Sequence, residues 1–500
     1  MRGSSVPFWF VGSGFSYDTP MTSAMNVKWL SVVAPIVALS VLGAACSSSD
    51  TSSSSATTLV RASSGGCASG TLPTEPLLDT TPDTAPQTAS YSTEAVAPQS
   101  KSCDGMRDYL STPQPGWDLQ SYVFFGHLKD STGRILAFST LNQRQDVSTG
   151  TGPATDLQVA AVTANSGDGI VLGGIEGAPD QTVAVSQSSN PFDLRSQSFT
   201  AGAAPQYIDA RVVEGQLGQP GAVIELTAQV QGEALGAPPT TAATPMQISV
   251  RLRDVGGVGQ WGYGPSGFFP QWIYPNQRQA ITDTYGGSVE KYLAATNDPM
   301  TGQGDYYYSS PVLEVESFSI TENGSVVASG TEGELIGDYV DQSFDAKAAA
   351  IVGNGVEWTE FTTLLDGGRT MKVGTVTQSS VGTLPYAVLI AADGTRAANG
   401  SLEAAQRWNI DGVQLTPDPS AVWKSPRSGK SYATTYTAEL KGSDGTPDGS
   451  LTYTAVYPDQ ELDAAGRTVY EGLFAVTGTI GGKSVTGYAW AEIQPSGTLG

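Results

Sequence analysis

The sequence predicts an all-β protein: two antiparallel β domains, residues 113–275 and 276–500, behind a signal peptide and an unstructured tether. Three observations predict it. From about residue 118 the chain breaks into short runs rich in Val, Ile, Thr, Tyr and Phe, among them 121–128, 134–141, 222–230, 246–255, 312–320, 369–378, 450–457 and 484–493. Such residues fit a pleated, half-buried surface. Turn dipeptides stand between the runs, at Asn323-Gly324, Asp366-Gly367, Asp393-Gly394 and Gly481-Gly482, where the chain needs backbone angles that Gly and Asn supply. Helical periodicity is nearly absent, and 288–296 (SVEKYLAAT) is the best helix candidate. The β region is too long for one small barrel, and the Gly-, Pro- and aromatic-rich stretch 256–276 is expected to divide it.

Composition narrows the function. The 500 residues carry 25 Lys and Arg against 48 Asp and Glu, a net charge of −23. An acidic surface repels phosphate backbones, so no nucleic-acid partner is expected. The chain has one histidine, His127, and three cysteines. That argues against a multi-His zinc site or a Cys-rich cluster, and a Ser-His-Asp mechanism would depend on His127 alone. No metal and no cofactor is expected, and the sequence does not fix an oligomeric state.

The N-terminal segments read as an address. Met25-Asn26-Val27-Lys28 precedes the apolar run 29–45 (WLSVVAPIVALSVLGAA), which is short and broken by Pro35. This is the pattern of a signal peptide over residues 1–45, with the start at Met25 or Met21. The run closes on Gly43-Ala44-Ala45-Cys46, which resembles the lipobox of bacterial lipoproteins. That resemblance implies an acylated Cys46 and a lipid anchor on the extracytoplasmic face of the cell membrane. Residues 46–112 are rich in Ser, Thr, Pro and Ala and offer too little apolar surface to offset chain entropy, so they form the tether. With Cys46 acylated, Cys67 and Cys103 are left to pair as a disulfide or to stay as free thiols.

Several familiar motifs fail. Gly257-Val258-Gly259-Gln260-Trp261-Gly262 fits G-x-G-x-x-G, but Pro265 and Pro270 follow it where a helix is required. The triplets Gly429-Lys430-Ser431 and Gly482-Lys483-Ser484 lack the first glycine of a P-loop. No G-x-S-x-G occurs.

Ordered phrases then resemble one family. Gln120 to Leu128 with Asp130, Gly133 and Arg134 looks like its opening strand and turn. Asp305-Tyr306-Tyr307-Tyr308-Ser309 resembles its Tyr-Tyr-Ser strand, and Tyr339-Val340-Asp341-Gln342-Ser343-Phe344 its W-x-D-H-x-W segment. Trp423-Lys424-Ser425-Pro426 with Ser428, Gly429 and Tyr432 resembles its W-x-S-x-x-S-G-x-x-Y segment. Asp459-Gln460-Glu461, Tyr470-Glu471-Gly472, Gly478, Gly487-Tyr488 and Glu492 follow its C-terminal order. The family is the lipocalin-like superfamily of AttH-type proteins, carotenoid 1,2-hydratase (hydroxyneurosporene synthase) and kievitone hydratase. The resemblance implies two lipocalin-like β-barrels holding an apolar ligand. Ser121, Tyr122, Tyr339, Gln342 and Phe344 replace residues of the family pattern, which keeps aromatic shape and removes a titrating histidine.

Hydrating an isolated alkene needs an acid that protonates one carbon, a placed water, and a wall that stabilises positive charge. A carboxyl in an apolar setting has a raised pKa and can donate, and aromatic faces stabilise the cation. The resemblance makes Asp341 the acid candidate, with Tyr339 beside it. Tyr306, Tyr308, Trp261, Tyr263 and Trp490 are the aromatic ligand-binding candidates. Trp261 and Tyr263 stand in a stretch that reads equally as a cavity mouth or an interdomain plug. Glu492 shares a strand face with Trp490 and Tyr488; it and Glu471 are pocket acids if they face inward and solvated charges if outward. His127 shares a face with Phe125 and Lys129 and reads as a ligand contact or a packed rim residue. Taken together, the sequence implies a membrane-anchored protein binding an apolar small molecule, an isoprenoid or lipid. It either hydrates or isomerises that molecule by acid catalysis, or serves as a non-catalytic carrier or structural envelope lipoprotein.

Overall fold

A computed structural model describes residues 119–147, 155–177, 183–189, 192–198, 205–218, 221–237, 241–255, 259–263, 304–343, 356–366, 369–378, 382–390, 406–407, 413–440, 449–464 and 467–494. Among them there is no helix; every regular element is a strand. The signal and tether segments, Cys46, Cys67, Cys103 and the helix candidate 288–296 lie outside the described residues.

Thirteen strands make the first sheet. They are β1 Leu119–Lys129, β2 Ile135–Val147, β3 Thr155–Asn165, β4 Ile170–Gly177, β5 Val183–Ser189, β6 Phe192–Ser198 and β7 Tyr207–Glu214. Then come β8 Val223–Ala234, β9 Thr244–Asp254, β10 Gly259–Tyr263, β11 Gly304–Glu322, β12 Ser325–Gly330 and β13 Glu332–Ser343. Antiparallel pairing runs β13–β1–β2–β3–β4–β8, and β9 joins β8 to β11, which pairs back to β13. The path therefore closes into a barrel, which removes exposed edges. Strands β5 to β7 extend the sheet from β8.

The second sheet holds β14 Val356–Leu365, β15 Arg369–Gln378, β16 Gly382–Ile390, β17 Gln406–Arg407, β18 Val413–Pro417, β21 Thr435–Leu440, β22 Gly449–Ala455, β23 Glu461–Ala464, β24 Arg467–Ile480 and β25 Lys483–Gln494. A two-stranded ribbon, β19 Val422–Lys424 and β20 Ser431–Ala433, lies apart from it. Its Trp423 stacks on Tyr432. The fully buried Glu461 accepts hydrogen bonds from Tyr432 at 2.7 Å, Ser428 at 2.5 Å and Ser425. The sequence phrases 423–432 and 459–461 thus fold onto one buried carboxylate, a structural role in which three hydroxyls satisfy it.

Local chemistry explains the element ends. Asn323 and Gly324 take positive φ (50° and 77°) between β11 and β12, and Gly481 and Gly482 (58° and 73°) between β24 and β25. That is the geometry of a tight hairpin with matching twist. Pro311 lacks an N–H and cannot continue a ladder, and the β11–β13 register shifts there, between Ser310 and Leu313. The bend lets β11 pair with β13 and β10 in its first part and with β9 and β12 in its second.

One boundary differs from the sequence expectation. Strands β11 to β13 belong to the first sheet, so the change of sheet falls between Ser343 and Val356 and not at 275/276. The stretch read as a divider contributes β10, whose Gln260 and Tyr263 pair with Tyr308 and Tyr306. Its glycines and aromatics continue the sheet across a bulge. Asp341, expected in the C-terminal barrel, consequently stands in β13 of the first sheet.

Candidate functional site

Strand alternation gives each sheet two faces. On β1, Tyr122 and Phe124 enter the first core while Val123 and Phe125 face away; on β2, Leu136 and Phe138 enter and Ser139 and Leu141 face away. On β13, Leu335 and Tyr339 enter and Asp338 faces away. The second sheet repeats the pattern. Phe361, Met371, Val373, Tyr470, Ala489 and Ala491 fill its core, and Glu360, Thr362, Lys372, Glu471, Trp490 and Glu492 point to the other side. The two outward faces meet. Phe125 lies against Trp490 with ring centroids 5.7 Å apart, and the Asn165 amide donates to the Asp459 carbonyl at 2.8 Å. Tyr457 donates to the Ile135 carbonyl.

Between the faces is a cavity of about 40 Å³, room for a few waters. Its walls are Val123, Phe125, Ser139, Leu141, Ala161, Thr163 and Asp338 from the first sheet, and the six second-sheet residues named above. The register sets Glu360, Glu492 and Glu471 side by side on β14, β25 and β24. The Lys372 ammonium donates to Glu360 at 2.7 Å and Thr362 at 2.6 Å and stands 3.4 Å from Asp338. Ser309 donates to Asp338 from the first sheet. Asp338, Glu360 and Lys372 are all buried.

Four carboxyl groups and one ammonium line this cavity, and the carboxyls cannot all ionise cheaply away from water. Burial opposes the charge of Lys372, but Glu360 and Asp338, with Glu492 behind them, outweigh it and hold its pKa above the usual lysine value. Burial pushes Glu471 up to about 8, partly offset by a hydrogen bond from the Trp490 indole. At neutral pH, then, Glu471 is mostly a neutral acid. It lies beside Glu492 and against the Trp490–Phe125 aromatic wall. That arrangement can give a proton to a bound group, and the ring faces can stabilise the positive charge that results. Among the described residues, no group of three His, Cys, Asp or Glu side chains is disposed to hold a metal ion.

The structure brings Glu471, Trp490 and Glu492 together in this wall. It places Tyr339 elsewhere. That ring is wholly buried in the first core, its hydroxyl donates to Ser310 at 3.1 Å, and burial drives its pKa far above the usual phenol range. Tyr339 therefore does not line this cavity. The Asp341 backbone pairs with Tyr306 and Gln120, and that of Tyr339 with Tyr308. The side chains of Asp341, Tyr306, Tyr308, Trp261 and Tyr263 lie outside the described residues.

His127 is buried in the contact between the sheets, its ring 4.2 Å from Tyr488, and it does not line the cavity. Burial, then the charge of Lys129, lowers its pKa from 6.5 to about 4. The unfolded chain thus binds the proton first as pH falls, so His127 costs stability between about pH 6.5 and about pH 4, up to about 3 kcal/mol. His127→Phe keeps a ring on Tyr488 and is expected to remove that acid-side loss. Urea unfolding of both proteins at neutral pH and near pH 4 checks it.

Asp338, Glu360, Thr362 and Lys372 were not among the sequence candidates. One signal was available for Lys372: a cation set between Met371 and Val373 within a strand.

No protein-family model matches the chain, and no curated protein sequence matches it. In fold it is similar to a crystal structure of an AttH-type protein from Nitrosomonas europaea, with 17% identity over 80% of this chain and 98% of that one and a TM-score of 0.49. It is similar also to kievitone hydratase from Nectria haematococca, with 14% identity over 81% of this chain and 98% of that one and a TM-score of 0.45. A third similar structure is CghA, with 12% identity over 75% and 88% of the two chains and a TM-score of 0.42.

Proposed function

We propose that the chain binds the apolar end of a small molecule between its two sheets and protonates it through Glu471. The observation that carries this reading is the place of Glu471 in a cavity wall shared with Trp490, Phe125 and Glu492, where burial raises its pKa to about 8. The reaction that fits is hydration of an alkene. Glu471 delivers its proton to one carbon, and the aromatic faces stabilise the cation at the other. Water adds there and loses a proton to the Glu492 carboxylate. Glu492 and Glu471 stand directly opposite on neighbouring strands, so the proton can pass back and restore the starting state. Loss of a proton from carbon instead of water capture gives isomerisation.

Incubating the full chain with a trisubstituted alkene in deuterated water tests the reading. Deuterium on carbon, with product formation cut at least a hundredfold in Glu471→Gln, is the expected outcome. Unchanged turnover in that variant contradicts it. The small cavity favours a second reading: it admits the end of a ligand and not a whole isoprenoid, so the cluster would act as a lock between the sheets of a non-catalytic carrier. Absence of any label uptake would favour that one.

We propose also that the protein is anchored at the extracytoplasmic face of the membrane by acylated Cys46, on the strength of the Gly43-Ala44-Ala45-Cys46 pattern after an apolar run. Cys46→Ala is expected to move the protein from the membrane to the soluble fraction, since the acyl chains supply the affinity. Retention after a salt wash contradicts the anchor.

A further inference from the structure

Two buried polar side chains beside the cavity have nothing to bond. Gln143 and Ser121 are each 1% exposed. Neither end of the Gln143 amide has a hydrogen-bond partner, nor has the Ser121 hydroxyl. They stand directly opposite each other on β1 and β2. The next pair on the same face, Val123 and Leu141, lines the cavity. The other face of the same strands makes a contrast. There Ser196 donates to Asn142 at 2.8 Å and accepts from Gln158 at 3.1 Å, so the buried polar groups satisfy one another. A buried amide left unpaired costs about 1–3 kcal/mol, and the fold carries that cost at the Ser121–Gln143 pair alone of these two clusters.

We infer that Ser121 and Gln143 form the recognition end of the cavity and read a neutral group of the ligand that presents a hydrogen-bond acceptor and a donor together, a carboxamide or a hydroxyl next to a carbonyl. The inference rests on the proposed binding role of the cavity and deepens it by naming the ligand's class: an apolar molecule with one such polar group. The group is neutral, because the cation in the cavity wall, Lys372, is held by Glu360 and Asp338, and an unpaired charge beside an apolar wall is strongly disfavoured. The register also supplies a ruler. Asp338 pairs with Val123, two residues from Ser121, so the polar group stands about 7 Å along the strand from the carboxylate cluster.

The test uses the full chain and two probes of similar shape, 3-methylbut-2-enamide and the hydrocarbon 2,4-dimethylpent-2-ene, with binding followed by ligand-observed NMR. The amide is expected to bind about tenfold tighter than the hydrocarbon. Gln143→Leu should erase that preference, and Ser121→Ala should reduce it. Both variants should keep or raise the thermal midpoint, since neither side chain has a partner to lose; Gln143→Met serves if the leucine variant fails to fold. An amide preference unchanged in the Gln143 variants, or a lowered midpoint showing that the amide holds the fold, overturns the inference while leaving the cavity role standing. Failure of both probes to bind overturns the cavity role itself, and this inference with it.

Discussion

Lys372→Met is expected to cost the fold about 3–5 kcal/mol at neutral pH. The ammonium is 1% exposed and lies between Glu360 and Asp338, which come from different sheets. Its removal leaves two buried carboxylates facing each other without a cation. Adding Asp338→Asn and Glu360→Gln to Lys372→Met should recover most of the loss, because neutral groups of similar volume need no counter-charge. Urea unfolding of the single and triple variants checks this. A single variant within about 1 kcal/mol of wild type would mean that the cluster is solvated and does not join the sheets.

Glu471→Gln should raise stability on the alkaline side while it removes turnover. The folded carboxyl holds its proton up to about pH 8, against an ordinary value of 4.5. Between those values the folded chain binds more protons than the unfolded one, so stability is full below about pH 4.5 and is lost as pH rises through about 8. The slope is about 1.4 kcal/mol per pH unit at most, less where water in the cavity solvates the carboxylate. Glutamine keeps the shape of the neutral acid and does not titrate. The stability difference between variant and wild type should therefore grow steadily from about pH 5 to about pH 8. A difference independent of pH would place Glu471 at an ordinary pKa and remove it as the acid.

Much of the fold is legible in the sequence, and the reason is local. Each of the eight runs singled out coincides with a strand, four of them overrunning it by one or two residues, because alternation and turn residues report directly on pleat and hairpin. The hairpins at 323–324 and 481–482 are legible for the same reason. The division of the β region is not, because it depends on which strands pair over long separations. Tyr306 and Tyr308 lie beside β13 and β10, and nothing in their own segment says so. The site is half legible. Glu471, Glu492 and Trp490 share a wall that alternation could suggest, although alternation alone could not say whether that face is solvated or covered. Asp338, Glu360 and Lys372 gather only because two sheets meet back to back, and spacing along one strand carries no trace of that contact. Tyr339 shows the opposite case. The resemblance puts it beside the acid candidate, while its place on the inward face of β13 makes it core.

The proposed chemistry depends on the protonation state of Glu471, and infrared difference spectroscopy measures it directly. Spectra of wild type minus Glu471→Gln, taken in deuterated water across the neutral range, should show a carboxylic acid C=O band that vanishes with a midpoint near pH 8, as the raised pKa of Glu471 predicts. No such band at pH 6, or a midpoint near the ordinary 4.5, would show that the cavity holds a carboxylate there and would contradict the proposed proton donor.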